Sequence, residues 1–211
     1  AYMRLLAHPS FTTEICKNIR ILGSSAAPLP AQLFREVEER TGKKISERYG
    51  MTEAMATTCT PPGHERVGSC GKILAGAQMR ITDEEGKTLG VNEIGNVEIR
   101  GPNLFKGYWG KPEEPSTSFR SDGYFITGDL GKIDADGYVW VVEREKDKIF
   151  YKDLRILPSE IAAHINSIKG VNEAVVFGVP HPHFGEGVVA IIKAELPITK
   201  SLILDILRER V

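Results

Sequence analysis

Glu47-Arg48-Tyr49-Gly50-Met51-Thr52-Glu53 brings an aromatic ring, a glycine, a hydroxyl and carboxylates together in one short stretch. Gly50 permits a ligand to approach the backbone closely. The Thr52 hydroxyl can donate a hydrogen bond to a phosphate oxygen, and the Glu53 carboxylate can hold a hard cation such as Mg²⁺. This combination is typical of a nucleotide phosphate site. Taken alone, it also fits a turn followed by a helix with an acidic first turn.

A second polar segment, Thr127-Gly128-Asp129, follows the apolar run that begins at Tyr124. We expect a strand that enters a glycine turn and leaves the Asp129 carboxylate exposed. A carboxylate in that position can accept hydrogen bonds from the two vicinal hydroxyls of a ribose. The alternative is an ordinary aspartate-capped turn, because Asp122-Gly123 and Asp136-Gly137 have the same composition.

A run of small residues, Gly23-Ser24-Ser25-Ala26-Ala27-Pro28-Leu29, lies upstream and precedes a helical pattern. The backbone of such a loop can press against a flat base. The same composition is also usual in a helix cap with its turn.

Composition excludes several classes of protein. The chain has 211 residues, 41% hydrophobic residues and a formal net charge of -1, which indicates a buried core and gives no basic surface for nucleic acid. Its three cysteines have no paired metal-ligand spacing, which fits a reducing compartment such as the cytoplasm. No apolar run is long enough to span a bilayer. The sequence gives no indication of oligomeric state.

Hydrophobic periodicity predicts an α/β fold with a strand-rich first part. A switch from a strand meander to alternating helices and strands places a domain boundary near residues 143–147, which gives domains of 1–145 and 146–211. Predicted helices cover residues 29–40, a segment after Pro158 that ends at Gly170, and residues 202–208. Predicted strands cover residues 44–49, 77–82, 96–100, 138–142, 174–179 and 188–192.

The ordered motifs resemble those of the adenylate-forming superfamily of acyl-CoA synthetases, luciferases and nonribosomal peptide adenylation domains. The likeness covers nearly the whole chain and is tightest to the malonyl-CoA synthetase branch. It is carried by E-R-Y-G-M-T-E (47–53), G-P-N-L-F-K-G-Y-W (101–109), F-I-T-G-D-L-G-K-I-D (125–134) and G-V-P-H-P-H-F-G-E-G (178–187). The resemblance implies the rest of a large AMP-binding domain followed by a small mobile lid. It also implies the use of ATP, Mg²⁺ and CoA to activate a small carboxylic acid through an acyl-adenylate.

The resemblance also implies roles for individual residues. A loop containing Ser25, Ala26 and Ala27 would wall the adenine pocket, Tyr49 and Gly50 would contact the base, and Asp129 and Arg144 would contact ribose and phosphate. Thr52 and Glu53 would be catalytic, with Glu53 also the metal ligand, and Lys146 would be the hinge about which the lid turns. Arg48 and Met51 would line the acid pocket. The 101–109 segment would pack beneath the site and bury Phe105, Tyr108 and Trp109.

Arg48 bears on the choice of acid. In the resemblance it lies at the acyl end of the pocket, where relatives that take fatty or aryl acids have a neutral residue. A guanidinium there can bind a second carboxylate with two parallel hydrogen bonds, which favours malonate. The alternative is an arginine that faces solvent beside Glu47.

Three departures from the family pattern affect these expectations. The phosphate loop would precede Ala1 and the catalytic lysine would follow Val211, so we expect a fragment that is inactive or weakly active alone. Asp153 stands where relatives carry a glycine loop, which affects CoA transfer, and Glu143 replaces a glycine before Arg144. Two alternatives stay open, namely a broader acyl- or aryl-CoA ligase and a non-catalytic adenine-nucleotide-binding module. We expect a cytoplasmic protein, or a mitochondrial one if a transit peptide precedes Ala1.

Overall fold

The computed structural model describes residues 1–111 and 118–210, and the chain divides into two compact units, Ala1–Val141 and Val142–Val211. Both units mix helices and strands, and strands predominate, which confirms the predicted fold class. The predicted boundary after residue 145 stays a prediction. No helix in the described ranges has both the length and the hydrophobicity that crossing a membrane requires.

The first part of the first unit packs helices on a short parallel pair of strands. The helices are α1 (Tyr2–Leu6), α2 (Thr13–Cys16) and α3 (Ala31–Thr41), and the strands are β1 (Leu22–Ser24) and β2 (Ile45–Glu47). Helix α3 buries Phe34 and Val37, whose spacing places them on one face of the helix. They pack with Ile45 in a fully buried cluster, which holds α3 against the strand pair.

The remainder of the first unit is made of strands. They are β3 (Gly50–Met51), β4 (Met55–Ala56), β5 (Thr58–Cys59), β6 (Lys72–Ile73), β7 (Gln78–Thr82), β8 (Gly95–Arg100), β9 (Phe125–Ile133) and β10 (Val139–Arg144). Pairs β3–β4 and β5–β6 are antiparallel, and a four-stranded sheet has the order β10-β9-β8-β7. Val97, Ile99 and Val139 form the solvent-free centre of its core. Strand β10 continues into the second unit.

The second unit is a four-stranded sheet with helices. Its elements are a 3₁₀ turn (Glu145–Asp147), β11 (Ile149–Tyr151), β12 (Leu154–Ile156), α4 (Pro158–Asn166), β13 (Val171–His181), β14 (Gly185–Ala194) and α5 (Lys200–Arg210). The strand order is β12-β11-β14-β13. Helix α4 ends at Asn166, earlier than the predicted Gly170, so Ile161 and Ile165 lie on its buried face and Ile168 lies beyond its end. All three are buried and pack with Ile149 and Val176.

The predicted strand before Asp129 ends later than expected. We predicted a glycine turn after Thr127, but β9 continues to Ile133. Gly128 adopts a φ of 73°, and the pairing with β8 shifts register between Asn96 and Glu98. The glycine therefore accommodates a bulge inside the strand, because a left-handed residue can bend the chain without ending the ladder.

Candidate functional site

The parallel pair β1–β2 brings two predicted parts of the site together. Ser24 pairs with Glu47, and the Arg48 N–H donates to the Ser24 carbonyl at 3.1 Å. The carboxyl ends of parallel strands meet at one edge, which is where α/β proteins bind ligands. The loop 25–27 and the segment that starts at Arg48 therefore leave the same edge side by side.

The small-residue loop is exposed, as a wall of a pocket requires. Ser25, Ala26 and Ala27 are all exposed, and Ala26 has a φ of 71°. A left-handed conformation is uncommon for a residue other than glycine and is found disproportionately at ligand sites. The loop thus presents backbone, with little side chain, to the surface.

Arg48 points away from the core. Its side chain is exposed, and a Cβ added to Gly23 would come within 3.4 Å of Arg48 Nη2. The guanidinium therefore lies over the start of the small-residue loop. Tyr49 and Met51, by contrast, are half-buried and pack against the core of the four-stranded sheet.

The hairpin β3–β4 presents Thr52 and Glu53 in its connecting turn. Thr52 is exposed and Glu53 is half-buried. We expected Gly50 to admit a ligand, but a Cβ at Gly50 would lie 2.0 Å from the Met55 carbonyl oxygen. The glycine is therefore needed for the close approach of the two strands of the hairpin.

Glu53 is tied to the 101–109 segment. The backbone carbonyl of Glu53 accepts a hydrogen bond from the Phe105 N–H at 2.7 Å. The side-chain Oε1 of Glu53 accepts one from the Tyr108 hydroxyl at 2.7 Å. The Phe105 ring also meets Phe125, the first residue of β9, with a centroid distance of 5.6 Å. The prediction that this segment buries all three aromatic residues was wrong, since Tyr108 and Trp109 are exposed. Tyr108 instead holds the Glu53 carboxylate.

Tyr49 and Asp129 meet directly. The Tyr49 hydroxyl donates to Asp129 Oδ2 at 2.6 Å. The prediction that the Asp129 carboxylate is exposed was wrong, because only 6% of the residue is accessible. The β9 bulge keeps Asp129 in the sheet, where its N–H donates to the Thr127 hydroxyl at 3.1 Å. Burial and the neighbouring carboxylate raise the pKa of the Tyr49 phenol above its usual range, so it stays a donor.

Glu47 is a buried acid that the sequence analysis did not single out. It lies at the end of β2, is 8% exposed, and its Oε1 has no hydrogen-bond partner among the residues that the structure describes. Burial raises its pKa to about 7, an effect that the backbone N–H groups of Leu29 and Gly68 partly oppose. Its position at the motif's first residue was visible in the sequence. Its burial could not be predicted from the sequence, because Glu47 and Arg48 are both charged and nothing in the local pattern indicates which of them faces the core.

Arg144 and Lys146 belong to the second unit. Arg144 ends β10, Lys146 lies in the 3₁₀ turn, and both are exposed. Their approach to Asp129 stays a prediction. In the same unit, Lys152 and Asp153 form the turn between β11 and β12, with Lys152 at a φ of 54°. A lysine thus occupies a conformation that favours glycine.

The residues around Glu53 fit a magnesium ion that is bound partly by substrate. Within residues 1–111 and 118–210, no group of three or more His, Cys, Asp or Glu side chains is placed to hold a metal. Mg²⁺ is commonly held by one or two carboxylates together with phosphate oxygens and water. The accessible Glu53 carboxylate fits that arrangement.

Comparison with known proteins identifies the family. A family model described as AMP-binding enzyme matches residues 1–109. The chain is 34% identical over 198 residues to a feruloyl-CoA synthase from Amycolatopsis, covering 92% of this chain and 40% of that protein. It is 36% identical over 181 residues to a malonate–CoA ligase from Arabidopsis thaliana, covering 85% and 29%.

Solved structures have the same fold. ATP-bound MatB from Rhodopseudomonas palustris matches with a TM-score of 0.94 and 43% identity, over 100% of this chain and 42% of that one. An anthranilate CoA ligase, AuaEII, in complex with anthranoyl-AMP matches with a TM-score of 0.80 and 31% identity, over 97% and 40%. The chain thus spans less than half the length of the proteins it matches. These similarities confirm the predicted resemblance to adenylate-forming enzymes, and the chain belongs to the AMP-binding enzyme family.

Proposed function

We propose that this chain is the nucleotide-facing part of an ATP-dependent acid–CoA ligase. The enzyme would activate a small carboxylic acid as an acyl-adenylate and transfer it to CoA, with malonate as the favoured acid. The observation that carries the proposal is the hydrogen bond between Tyr49 and Asp129, which joins the residue assigned to the base with the residue assigned to the ribose. The small-residue loop leaves the same strand edge as Tyr49, which supports a shared adenosine site.

In the proposed site, each part of the nucleotide has its own contact. The base lies between the backbone of the loop 25–27 and the outer face of Tyr49, whose inner face packs on the core. Asp129 accepts the ribose hydroxyls. The exposed Thr52 hydroxyl donates to the α-phosphate.

Activation is required because a carboxylate is a poor electrophile, whereas AMP is a good leaving group. The carboxylate oxygen of the acid attacks the α-phosphorus, and pyrophosphate leaves. Glu53 would hold Mg²⁺, which supplies electrostatic stabilisation of the charge that builds on the phosphate oxygens. Tyr108 keeps the Glu53 carboxylate in place through its hydroxyl.

Arg48 supports malonate as the acid. The guanidinium is exposed at the same strand edge as the nucleotide loop, so it is available to a substrate. A planar guanidinium matches a carboxylate in a two-pronged contact, which a neutral side chain cannot provide. The likeness to a malonate–CoA ligase at 36% identity is consistent with this choice.

The second unit would serve the second half-reaction. The CoA sulfur attacks the acyl carbon and AMP leaves. Arg144 would contact ribose and phosphate, and Lys146 would be the hinge position. The turn at Lys152 and Asp153 would face the pantetheine arm, where the Asp153 carboxylate adds negative charge.

A second candidate is a ligase for larger acyl or aryl acids, with Arg48 facing solvent. It is favoured by the 34% identity to a feruloyl-CoA synthase and to a long-chain-fatty-acid–CoA ligase from Bacillus subtilis. The two candidates share the nucleotide site and differ at the acyl end.

Acid-dependent exchange of pyrophosphate into ATP tests the proposal. The complete protein that contains this chain would be assayed with malonate, methylmalonate, butyrate, octanoate and ferulate. Exchange that depends on malonate and is at least about tenfold weaker with butyrate supports the first candidate. Preference for octanoate or ferulate supports the second. Absence of exchange with every acid, together with AMP binding, would point to a nucleotide-binding module.

A further inference from the structure

We propose that Tyr49 is a positioning residue for Asp129, the residue assigned to the ribose. Its hydroxyl holds the Asp129 carboxylate in the orientation that accepts the two ribose hydroxyls. This inference rests on the proposed adenine-nucleotide site and deepens it. It assigns the hydroxyl of Tyr49 a role that is separate from the contact of its ring with the base.

The distance indicates a strong bond. A donor–acceptor separation of 2.6 Å lies in the range of O–H···O⁻ hydrogen bonds, which are shorter and stronger than those between neutral groups. Asp129 is 6% exposed, so water competes little for the carboxylate. The bond thus contributes to holding the carboxylate in its orientation.

The backbone on the Asp129 side is equally restrained. The Thr127 hydroxyl donates to the Val97 carbonyl at 2.8 Å and accepts the Asp129 N–H at 3.1 Å. These bonds anchor the bulge of β9 to the neighbouring strand. With the backbone held by Thr127, the Tyr49 hydroxyl restricts the rotation of the Asp129 side chain.

The Tyr49 side is anchored by the first half of the chain. The Tyr49 carbonyl accepts the N–H groups of Thr57 and Thr58 at 2.9 and 3.1 Å, and its own N–H donates to the Thr58 hydroxyl at 3.1 Å. Its ring packs against the core beside Met51. The Tyr49 phenol is therefore held in a fixed position between the 47–53 segment and the bulge of β9.

The fixed hydrogen bond between Tyr49 and Asp129 has a functional consequence. A carboxylate that must accept two hydroxyls at once binds best when its orientation exists before the ligand arrives, since less freedom is lost on binding. Removing the hydroxyl should weaken ligands that carry the ribose hydroxyls and should spare ligands that lack them. Base stacking alone predicts the same loss for both kinds of ligand.

The test compares AMP with 2′,3′-dideoxy-AMP. Isothermal titration calorimetry on the complete protein that contains this chain would measure the Kd of each ligand for the unsubstituted protein and for Tyr49→Phe. We expect Tyr49→Phe to weaken AMP about tenfold, the scale of a hydrogen bond to a charged group. For the dideoxy ligand, we expect a change of less than about threefold.

Three control variants make the result specific. Tyr138→Phe removes the hydroxyl of another tyrosine, which donates to the His64 carbonyl at 3.1 Å, and should leave the ratio of the two Kd values unchanged. On an Asp129→Ala background, Tyr49→Phe should have no further effect on AMP, because the two residues act as one unit. Tyr49→Leu should weaken both ligands, since it removes the stacking ring.

The outcomes distinguish failure of the Tyr49 assignment from failure of the proposed nucleotide site. If Tyr49→Phe weakens both ligands equally, or leaves AMP unchanged, Tyr49 does not position Asp129, and the nucleotide site stands. If the unsubstituted protein binds the two ligands with equal affinity, Asp129 does not accept hydrogen bonds from the ribose hydroxyls. Failure of the unsubstituted protein to bind AMP would overturn the proposed function and this inference together.

Discussion

The Tyr108 hydroxyl donates a 2.7 Å hydrogen bond to Glu53 Oε1, although the two residues belong to separate motifs. This contact ties the 101–109 segment to the turn between β3 and β4. A phenol that donates to a carboxylate keeps it oriented, and the carboxylate oxygens are the atoms that would bind a cation.

We predict that Glu53→Gln in the complete enzyme lowers acid-dependent pyrophosphate exchange about 100-fold, because the neutral amide cannot replace the metal-binding charge. Tyr108→Phe should cause a smaller loss and raise the Mg²⁺ concentration that gives half the maximal rate. The exposed Glu85 supplies the control variant Glu85→Gln. An unchanged Mg²⁺ dependence in both Glu53→Gln and Tyr108→Phe would remove Glu53 as the metal ligand.

Arg48 is predicted to select the acid. Arg48→Leu should raise the KM for malonate at least about tenfold and leave the KM for ATP unchanged, because only the acid loses a charged partner. Arg48→Lys keeps the charge without the planar pair of donors and should give an intermediate value. Equal increases for malonate and ATP would show that Arg48 acts on the fold of the motif instead.

Lys146 is predicted to work through its backbone. Lys146→Pro restricts φ and removes an N–H, so it should spare adenylate formation and slow thioester formation, which needs the second conformation of the lid. Lys146→Ala keeps the backbone free and should slow neither step. Single-turnover measurement of the two half-reactions makes the comparison. Loss of both steps in Lys146→Pro would contradict the hinge assignment.

Glu47 is predicted to make stability depend on pH. Its pKa of about 7 in the folded chain exceeds the usual value of 4.5, so the folded state binds the proton more tightly. Its contribution is therefore fully present below pH 4.5 and is lost as the pH rises to about 7. The loss is at most about 3 kcal/mol. Urea unfolding at pH 5 and pH 8 measures it through the tryptophans, both of which lie in the first unit.

Glu47→Gln should flatten this dependence, because the amide does not titrate. Glu85→Gln, at an exposed carboxylate, should keep the dependence of the unsubstituted chain. If Glu47→Gln and the unsubstituted chain lose the same free energy of unfolding between pH 5 and pH 8, another group is responsible.

Glu98 is predicted to be the most sensitive buried charge of the sheet. It is fully buried and accepts Arg80 Nε at 2.8 Å, Arg120 Nε at 2.7 Å and the Thr82 hydroxyl at 3.0 Å. Glu98→Gln removes the buried carboxylate that Arg80 and Arg120 share, while Arg80 keeps its pair with the exposed Asp122. It should lower the free energy of unfolding by about 3 kcal/mol. Glu14→Gln, which alters an exposed pair with Lys17, should change it by less than about 0.5 kcal/mol. A loss under about 1 kcal/mol for Glu98→Gln would mean that solvent replaces the lost charge.

Local patterns in the sequence predicted most elements well. Helix α3 was predicted over 29–40 and runs over Ala31–Thr41, because Phe34 and Val37 recur at helical spacing and the helix is solvent-exposed opposite them. The alternation of Gln78–Thr82 likewise predicted β7. Such patterns are sufficient to predict a helix or a strand when one of its faces is buried and the opposite face is exposed to solvent.

Long-range contacts were not predictable in the same way. The sequence placed Tyr49 and Asp129 near one ligand, but nothing local indicates that they touch, since 80 residues separate them. Gly128 predicted a turn because a glycine between polar residues usually ends a strand, whereas pairing with β8 keeps this one in the sheet. The burial of Glu47 depends on the backbone of Leu29 and Gly68, which no pattern around Glu47 reveals.

The parallel pairing of β1 and β2 fixes where the motif begins relative to the small-residue loop. Ser24 pairs with Glu47, and Arg48, the first residue beyond the strand, donates its N–H to the Ser24 carbonyl. One residue inserted between Ile45 and Glu47 would shift this register and move Arg48 away from Ser24. An insertion in the exposed loop 25–27 would leave the register unchanged. The fold should therefore tolerate length variation in the loop and not in the strand.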